Sequence, residues 1–510
     1  MSVGPVVLAL LLSAHAAEAS AADRVDAALS GLQRYFFDDA GSFWKACGQN
    51  GGLGKAPSNF DCKCEVTSPF CKNCYRWWMA VTVQSLLGIH AAVPDHPSLN
   101  TTKAIVDTFR RKSPYTTHAN PAWAYIDDYV WYVLMWLDVH GSAALGEGRD
   151  LTDADDTMEL MTQWGADPCG GIHWMYPDVD PRKNAITTLE AVQASAQLAT
   201  ALKFRRPIRA REHRQRALAY WRFFQGVHLL GDDPVLVHDN VTGTAHGLFH
   251  CCNGTTAPLC EPRDTITWTY NQGMLLGAMS DLHKLTGDVS YLKTGAQVLD
   301  AVVTHLTRTD GQQTGKSRGG GAAVAEVEED AADEAASSRE PEAGAGGRAA
   351  AAAATTTVLR EPKGVSLTLH SHTCDATHDP SAPAGGDLFS FKGVFFQHLP
   401  RFLASAKDVL SPAQLAAARK LVGDSADAAW SHRVLPPFSK DDVCNEHTDV
   451  PAGAPPKFTW DWATPAAGAL TCQDARTQSS ALSLFVAELR LDQMFGPREG
   501  RVAARRESNV

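Results

Sequence analysis

Tyr125-Ile126-Asp127-Asp128-Tyr129-Val130-Trp131 leads without interruption into an apolar run that ends at Val139. Two adjacent carboxyls therefore stand at the mouth of a long apolar segment. Taken alone, the pair reads as helix capping, because Asp is favoured at the N-cap and in the first helical turn. Neighbouring acids cannot both ionise cheaply where water is scarce, so such a pair tends to retain one proton. An acid and an anion side by side are what cleavage of a glycosidic bond requires. The choice between capping and catalysis depends on what surrounds the pair.

Working outward, apolar residues at helical spacing mark about twelve segments. They begin near Ala22, Tyr75, Ser98, Asp128, Thr152, Asn184, Ala210, Tyr270, Val289, Leu388, Ser411 and Thr477. Ser98-Leu99, Asp153-Ala154 and Ser411-Pro412 carry the N-cap or N1-proline signals of helix starts. Segments two, four, six, eight, ten and twelve open on polar residues mixed with aromatics, and their partners are lean and rich in Arg or Ala. The expected fold is all-α, six helical hairpins closed into an (α/α)6 barrel. In such a barrel the inner helices run parallel and their N-termini share one rim. A stacked solenoid uses the same hairpins, but no fixed sequence period is present.

The rim motifs then fall together. Tyr75-Arg76-Trp77-Trp78 opens segment two, and Asp127-Asp128 with Trp131 opens segment four. Segment six follows Gly170-Gly171-Ile172-His173-Trp174 and starts at Lys183-Asn184. Trp268-Thr269-Tyr270-Asn271-Gln272-Gly273 opens segment eight, and Asp387 to Gly393, with Lys392, opens segment ten. Indole faces stack on sugar C–H faces, which marks Trp77, Trp78, Trp131, Trp174 and Trp268 as candidates; core packing is the equal alternative for each. Tyr270, Asn271 and Gln272 are candidate donors to sugar hydroxyls, with capping of a buried loop as the alternative for Asn271 or Gln272. Lys183, Asn184 and Lys392 complete the candidate substrate-binding set. Random capping does not sort polar clusters onto alternate segments, so the carboxylate pair is not isolated.

These motifs resemble glycoside hydrolase family 76, the α-1,6-mannanases, including fungal cell-wall members that remodel mannan linkages. Gly170-Gly171-Ile172 with Trp174, Lys183-Asn184-Ala185-Ile186, the Trp268 to Gly273 stretch with Gly277, Thr286-Gly287-Asp288 and Phe391-Lys392-Gly393 carry the resemblance. It spans roughly Ala22 to Leu491. His173 and Thr188 depart from the family pattern, which bears on substrate subsites. The resemblance implies a retaining mechanism with Asp127 as nucleophile and Asp128 as general acid/base. It implies endo-cleavage of α-mannan or mannooligosaccharides, with a mannan transglycosidase or a non-catalytic glycan-binding barrel as alternatives.

The remaining sequence bounds the setting. Residues 1–21 read as a secretory signal with cleavable small-residue sites around Ala17-Glu18-Ala19 and Ala19-Ser20-Ala21. Residues 22–495 form the barrel domain, and 496–510 a polar tail. The Ala-, Gly- and Glu-rich stretch 313–363 reads as a disordered insertion. Twelve cysteines fit an oxidising compartment, and for Cys62, Cys64, Cys71 and Cys74 disulfides are favoured over zinc. Sequons begin at Asn100, Asn240 and Asn253, each expected in a loop. A secreted monomer without cofactor or metal is expected. The net charge of −11 argues against nucleic acid or anionic membranes as partners, and no segment is apolar enough to span a bilayer.

Overall fold

The computed structural model describes residues 19–38, 43–44, 77–112, 125–165, 170–175, 182–241, 264–309, 356–361, 388–438, 450–460, 462, 473 and 475–498. All twelve cysteines, Asn253 and residues 1–18 lie outside the described residues. Twelve helices stand in the described part: α1 Ala21–Phe36, α2 Trp77–Ala92, α3 Leu99–Lys112, α4 Ile126–Gly141, α5 Gly148–Trp164 and α6 Ala185–Leu202. They continue as α7 Pro207–Gly226, α8 Thr269–Thr286, α9 Ser290–His305, α10 Leu388–Ala406, α11 Pro412–Ser431 and α12 Ala475–Phe495. Local chemistry fixes many ends. Ser20 and Ser411 form capping boxes with Asp23 and Gln414, and Gly287, at φ 78°, closes α8 in the left-handed region. Helix α5 starts ahead of the Asp153 signal, because Glu147 and Asp150 make the capping box instead.

The even helices are buried nearly all round, whereas the odd ones bury only one side. Neighbour packing runs α2 to α4, α6, α8, α10 and α12, and then from α12 back to α2. That return contact closes the ring and excludes a solenoid. Odd helices pack outside it, α1 on α12, α3 on α2, α5 on α4, α7 on α6 and α9 on α8. The inner ring is tight because small residues sit where helices touch. A Cβ on Gly273 would stand 2.4 Å from Phe395 Cα, and one on Gly393 would stand 2.8 Å from Ser480 Cα. The lower half of the ring is tied by charge. Gln84 of α2 donates to Asp138 of α4 at 2.6 Å, and Arg401 of α10 spans Asp138 at 3.6 Å and Asp281 of α8 at 2.8 Å. Gln193 and Gln197 of α6 donate to the same Asp281. Five of the six inner helices meet in this one network.

Three small antiparallel ribbons decorate the ring: β1 Phe37–Asp38 with β2 Phe43–Trp44, β3 Lys183–Asn184 with β4 Asn240–Val241, and β5 Thr307–Thr309 with β6 Thr357–Leu359. Two expectations change here. The insertion expected over 313–363 ends earlier, since β6 lies inside that range. Its amides are taken up by α11: Thr357 N–H donates to Asp424 at 2.7 Å and Leu359 N–H to Ser425 at 3.2 Å. Asn240 is not in an open loop. It is buried in β4, and its amide donates to Asp239. Asn100 is exposed at the second position of α3.

Candidate active site

Asp127 and Asp128 occupy the first turn of α4, both half-buried, at the positive end of the helix dipole. Tyr125, the residue before the helix, supplies no side-chain cap. Asp127 combines the two readings of the pair. Its Oδ1 accepts the Asp128 amide at 3.0 Å, a local capping bond, and its Oδ2 accepts the Trp174 indole N–H at 2.9 Å. The second bond is long-range and is delivered by a stitched backbone. Ile126 N–H donates to Trp174 O at 2.7 Å, and Trp174 N–H donates to Arg182 O at 2.9 Å. The loop reaches this position through Gly170 and Gly171 at φ 82° and 71°. At Gly171 a Cβ would lie 2.5 Å from the Phe223 ring, so sterics and backbone both demand glycine there. The Trp174 indole is flanked by the Tyr125 ring at 4.9 Å and by the Arg182 guanidinium at 4.6 Å.

Beside the pair, aromatic side chains from four inner helices form a continuous layer. Trp131 stacks on Trp77 at 5.3 Å, Trp77 meets Phe391 at 6.3 Å, and Phe391 lies flat on Tyr270 at 3.8 Å and edge-on to Trp268 at 5.6 Å. Trp77, Trp78, Trp131 and Trp268 are buried, so these rings build the wall and floor rather than offering free faces. Trp174 and Tyr270 remain partly open, joined by Tyr125, which is 41% exposed.

Several polar candidates hold the wall rather than line the pit. Lys183 is fully buried, donates to Gly170 O and sits 4.9 Å over the Phe223 ring. Asn184 caps α6 through Thr187, at 3.2 Å from its amide. Gln272 clamps both backbone groups of Val237, at 2.8 and 2.9 Å. Lys392 donates to Trp460 O and lies 4.2 Å over the Trp462 ring. The physical reason is common to all four: a buried polar side chain must find partners, and backbone groups of loops, or of the first turn of α6 for Asn184, supply them. Asn271 is buried as well, but its amide donates at 3.1 Å to Asp239.

Three further carboxyls were not singled out from the sequence. Asp239 receives Asn271, Asn240 and the Tyr270 hydroxyl, and burial pushes its carboxyl up despite these donors. Glu361 follows β6 and accepts both the amide and the hydroxyl of Thr269, at 3.0 and 2.5 Å, at the start of α8. Burial raises it to about 7 against the opposing pull of Thr269 and Lys392. Glu190, in the second turn of α6, is fully buried, and neither carboxyl oxygen has a hydrogen-bond partner among the described residues. Burial, then the charges of Asp127 and Asp128, drive it well above the usual carboxylate range. It therefore holds its proton more tightly than an ordinary carboxyl does, with the charges of the pair acting on it. Glu190, Gln193 and Gln197 recur at three- and four-residue spacing along α6, and that spacing is the signal that could have marked it.

A ring of parallel helix N-termini with adjacent carboxylates and half-open aromatics at its rim is a carbohydrate-processing barrel. The model of glycosyl hydrolase family 76 matches residues 20–317, and the chain belongs to that family. No curated protein matches the chain. Among solved structures, the α-1,6-mannanase GH76A of Salegentibacter sp. HEL1_6 aligns over 92% of this chain and 99% of its own, at 15% identity and a TM-score of 0.56. An inactive double-aspartate variant of that enzyme, in complex with α-1,6-mannotetrose, aligns over the same shares at 16% identity and a TM-score of 0.57. Dfg5 from Chaetomium thermophilum, in complex with glucosamine, aligns over 82% of this chain and 80% of its own, at 12% identity and a TM-score of 0.50. These likenesses establish the (α/α)6 fold.

Proposed function

We propose that this glycoside hydrolase is a secreted, retaining, endo-acting enzyme that cleaves α-1,6-mannosidic linkages. The observation that carries the reading is the bond from Trp174 to Asp127 at the N-terminus of α4. Two hydrogen-bond donors and the helix dipole favour an anion on Asp127, the form a nucleophile needs. The acidic partner beside it is then Asp128.

In the first step an Asp127 oxygen attacks the anomeric carbon while Asp128 gives its proton to the departing glycosidic oxygen, leaving a mannosyl ester. In the second step Asp128, now a carboxylate, takes a proton from the acceptor hydroxyl. That oxygen displaces Asp127 from the anomeric carbon. Retention requires the two carboxyls to work about 5–5.5 Å apart across the sugar. The mannan substrate is supported by the enzymes that share the fold. In this reading Trp174, Tyr270 and Tyr125, which are partly open, meet sugar faces.

The test uses Asp127→Asn and Asp128→Asn, assayed for reducing ends released from linear α-1,6-mannan and for binding of α-1,6-mannooligosaccharides. Each variant is expected to lose turnover at least about 10³-fold while retaining binding. Wild-type turnover in either variant would remove the assignment. Product lengths from the wild type report whether water or a second sugar serves as acceptor.

A further inference from the structure

The turn from α6 to α7 carries a surface that glycan cleavage does not use. It reads Lys203-Phe204-Arg205-Arg206-Pro207-Ile208-Arg209-Ala210-Arg211 and follows the C-terminal end of an inner helix. It therefore lies on the barrel face opposite the catalytic rim. At 1.5 Å per residue, α6 alone separates the two faces by about 27 Å. Phe204 is 88% exposed and Ile208 is 71% exposed, so a large ring and an aliphatic side chain stand in water.

The net charge of the whole chain argues against anionic membranes, but the charge at this turn is segregated and of the opposite sign. Between residues 203 and 216 the cations are Lys203, Arg205, Arg206, Arg209, Arg211, Arg214 and Arg216, and Glu212 is the one carboxylate, in a chain of net charge −11. Three of the cations are consumed within the fold. Arg206 and Arg209 pair with buried Asp155, Arg209 also with Glu159 and Glu212, and Arg216 with Glu159. Lys203, Arg205, Arg211 and Arg214 have no carboxylate partner among the described residues. Arg214 donates to Leu285 O, and Lys203 lies 5.4 Å over the Phe204 ring.

We propose that this turn docks the protein on an anionic lipid surface, with Lys203, Arg205 and Arg211 meeting headgroup phosphates and Phe204 and Ile208 entering the interface. Exposed apolar side chains flanked by Arg and Lys are the makeup of interfacial anchors. A soluble polyanion would be served by the cations alone and gives Ile208 nothing to do. Docked this way, the catalytic mouth faces away from the lipid by the height of the barrel. The proposal does not depend on the substrate assigned above.

The experiment is co-flotation of the full chain with vesicles of phosphatidylcholine alone or mixed with phosphatidylserine, at low and physiological salt. Binding is expected only with phosphatidylserine and is expected to weaken as salt rises. Lys203→Gln, Arg205→Gln and Arg211→Gln should each lower partitioning roughly fivefold. Phe204→Ser combined with Ile208→Ser should lower it roughly tenfold or more. All these variants should hydrolyse soluble substrate at the wild-type rate, which separates this test from that of the reaction. Absence of wild-type binding to phosphatidylserine vesicles overturns the proposal. Equal binding by the Phe204 and Ile208 double variant also overturns it, and would assign the surface to a soluble polyanion.

Discussion

Glu361 makes folding stability depend on pH in a direction opposite to that of an ordinary surface carboxylate. Its carboxyl is raised from 4.5 to about 7 in the native state, chiefly by burial, with Thr269 and Lys392 opposing. A raised carboxyl holds its proton more tightly when folded than when unfolded. Its contribution is therefore fully present below pH 4.5 and is lost as pH climbs through 7. A difference of about 2.5 units at 1.36 kcal/mol each amounts to about 3 kcal/mol between pH 4 and pH 8 or above. Glu361→Gln removes the titration but also one acceptor of the Thr269 bonds, a constant loss of about 1 kcal/mol. The two stability curves should therefore cross. Wild type should be the more stable protein at pH 4, and the variant the more stable by about 2 kcal/mol at pH 8. Urea unfolding followed by tryptophan fluorescence at half-unit intervals from pH 4 to 9 measures this. A stability difference that stays flat across that range would refute the reasoning.

Two other perturbations probe the site from different sides. Trp174→Phe keeps a ring but deletes the donor to Asp127. A bond to a charged group is worth about 1.5–3 kcal/mol, so kcat should fall roughly 10- to 100-fold with little change in KM, and an unchanged kcat would separate the indole from the chemistry. Glu190→Leu replaces two unpartnered buried oxygens with carbon. It should stabilise the protein by about 1–3 kcal/mol at neutral pH, and the gain should widen as pH rises above 4.5. Unfolding midpoints at pH 5 and pH 8 check this, and a loss of stability at pH 8 would show that Glu190 has a partner in solution.

The barrel was legible because inner and outer helices carry different patterns. A helix such as α4 is polar at its mouth and apolar on every side below it, whereas α1 and α7 are apolar along one side only. The Asp127-Asp128 pair and Trp174 were legible for the same reason, as rim residues flanking inner helices. Sequence does not separate residues that line a pit from residues that hold its wall. Lys183, Asn184, Gln272 and Trp131 share motifs with Tyr270 and Trp174, yet only the course of the loops decides which faces solvent. Glu190 was obscured because a lone Glu in an Ala-rich helix reads as a solvated position. Glu361 was obscured by the low-complexity stretch before it, although Thr357-Val358-Leu359 is a short β-favouring run.

The pairing of Thr309 with Thr357 has a consequence for the evolution and engineering of this chain. The chain departs and returns on hydrogen-bonded neighbours, one strand spacing apart, so the pairing itself holds the two ends together. Closure entropy grows logarithmically, and doubling the length of such an excursion costs only about 0.6 kcal/mol. As far as closure entropy goes, a change in length between the two strands therefore costs this scaffold little. A tag, a reporter or a second domain grafted between the two strands would inherit a clamp already built to hold its ends.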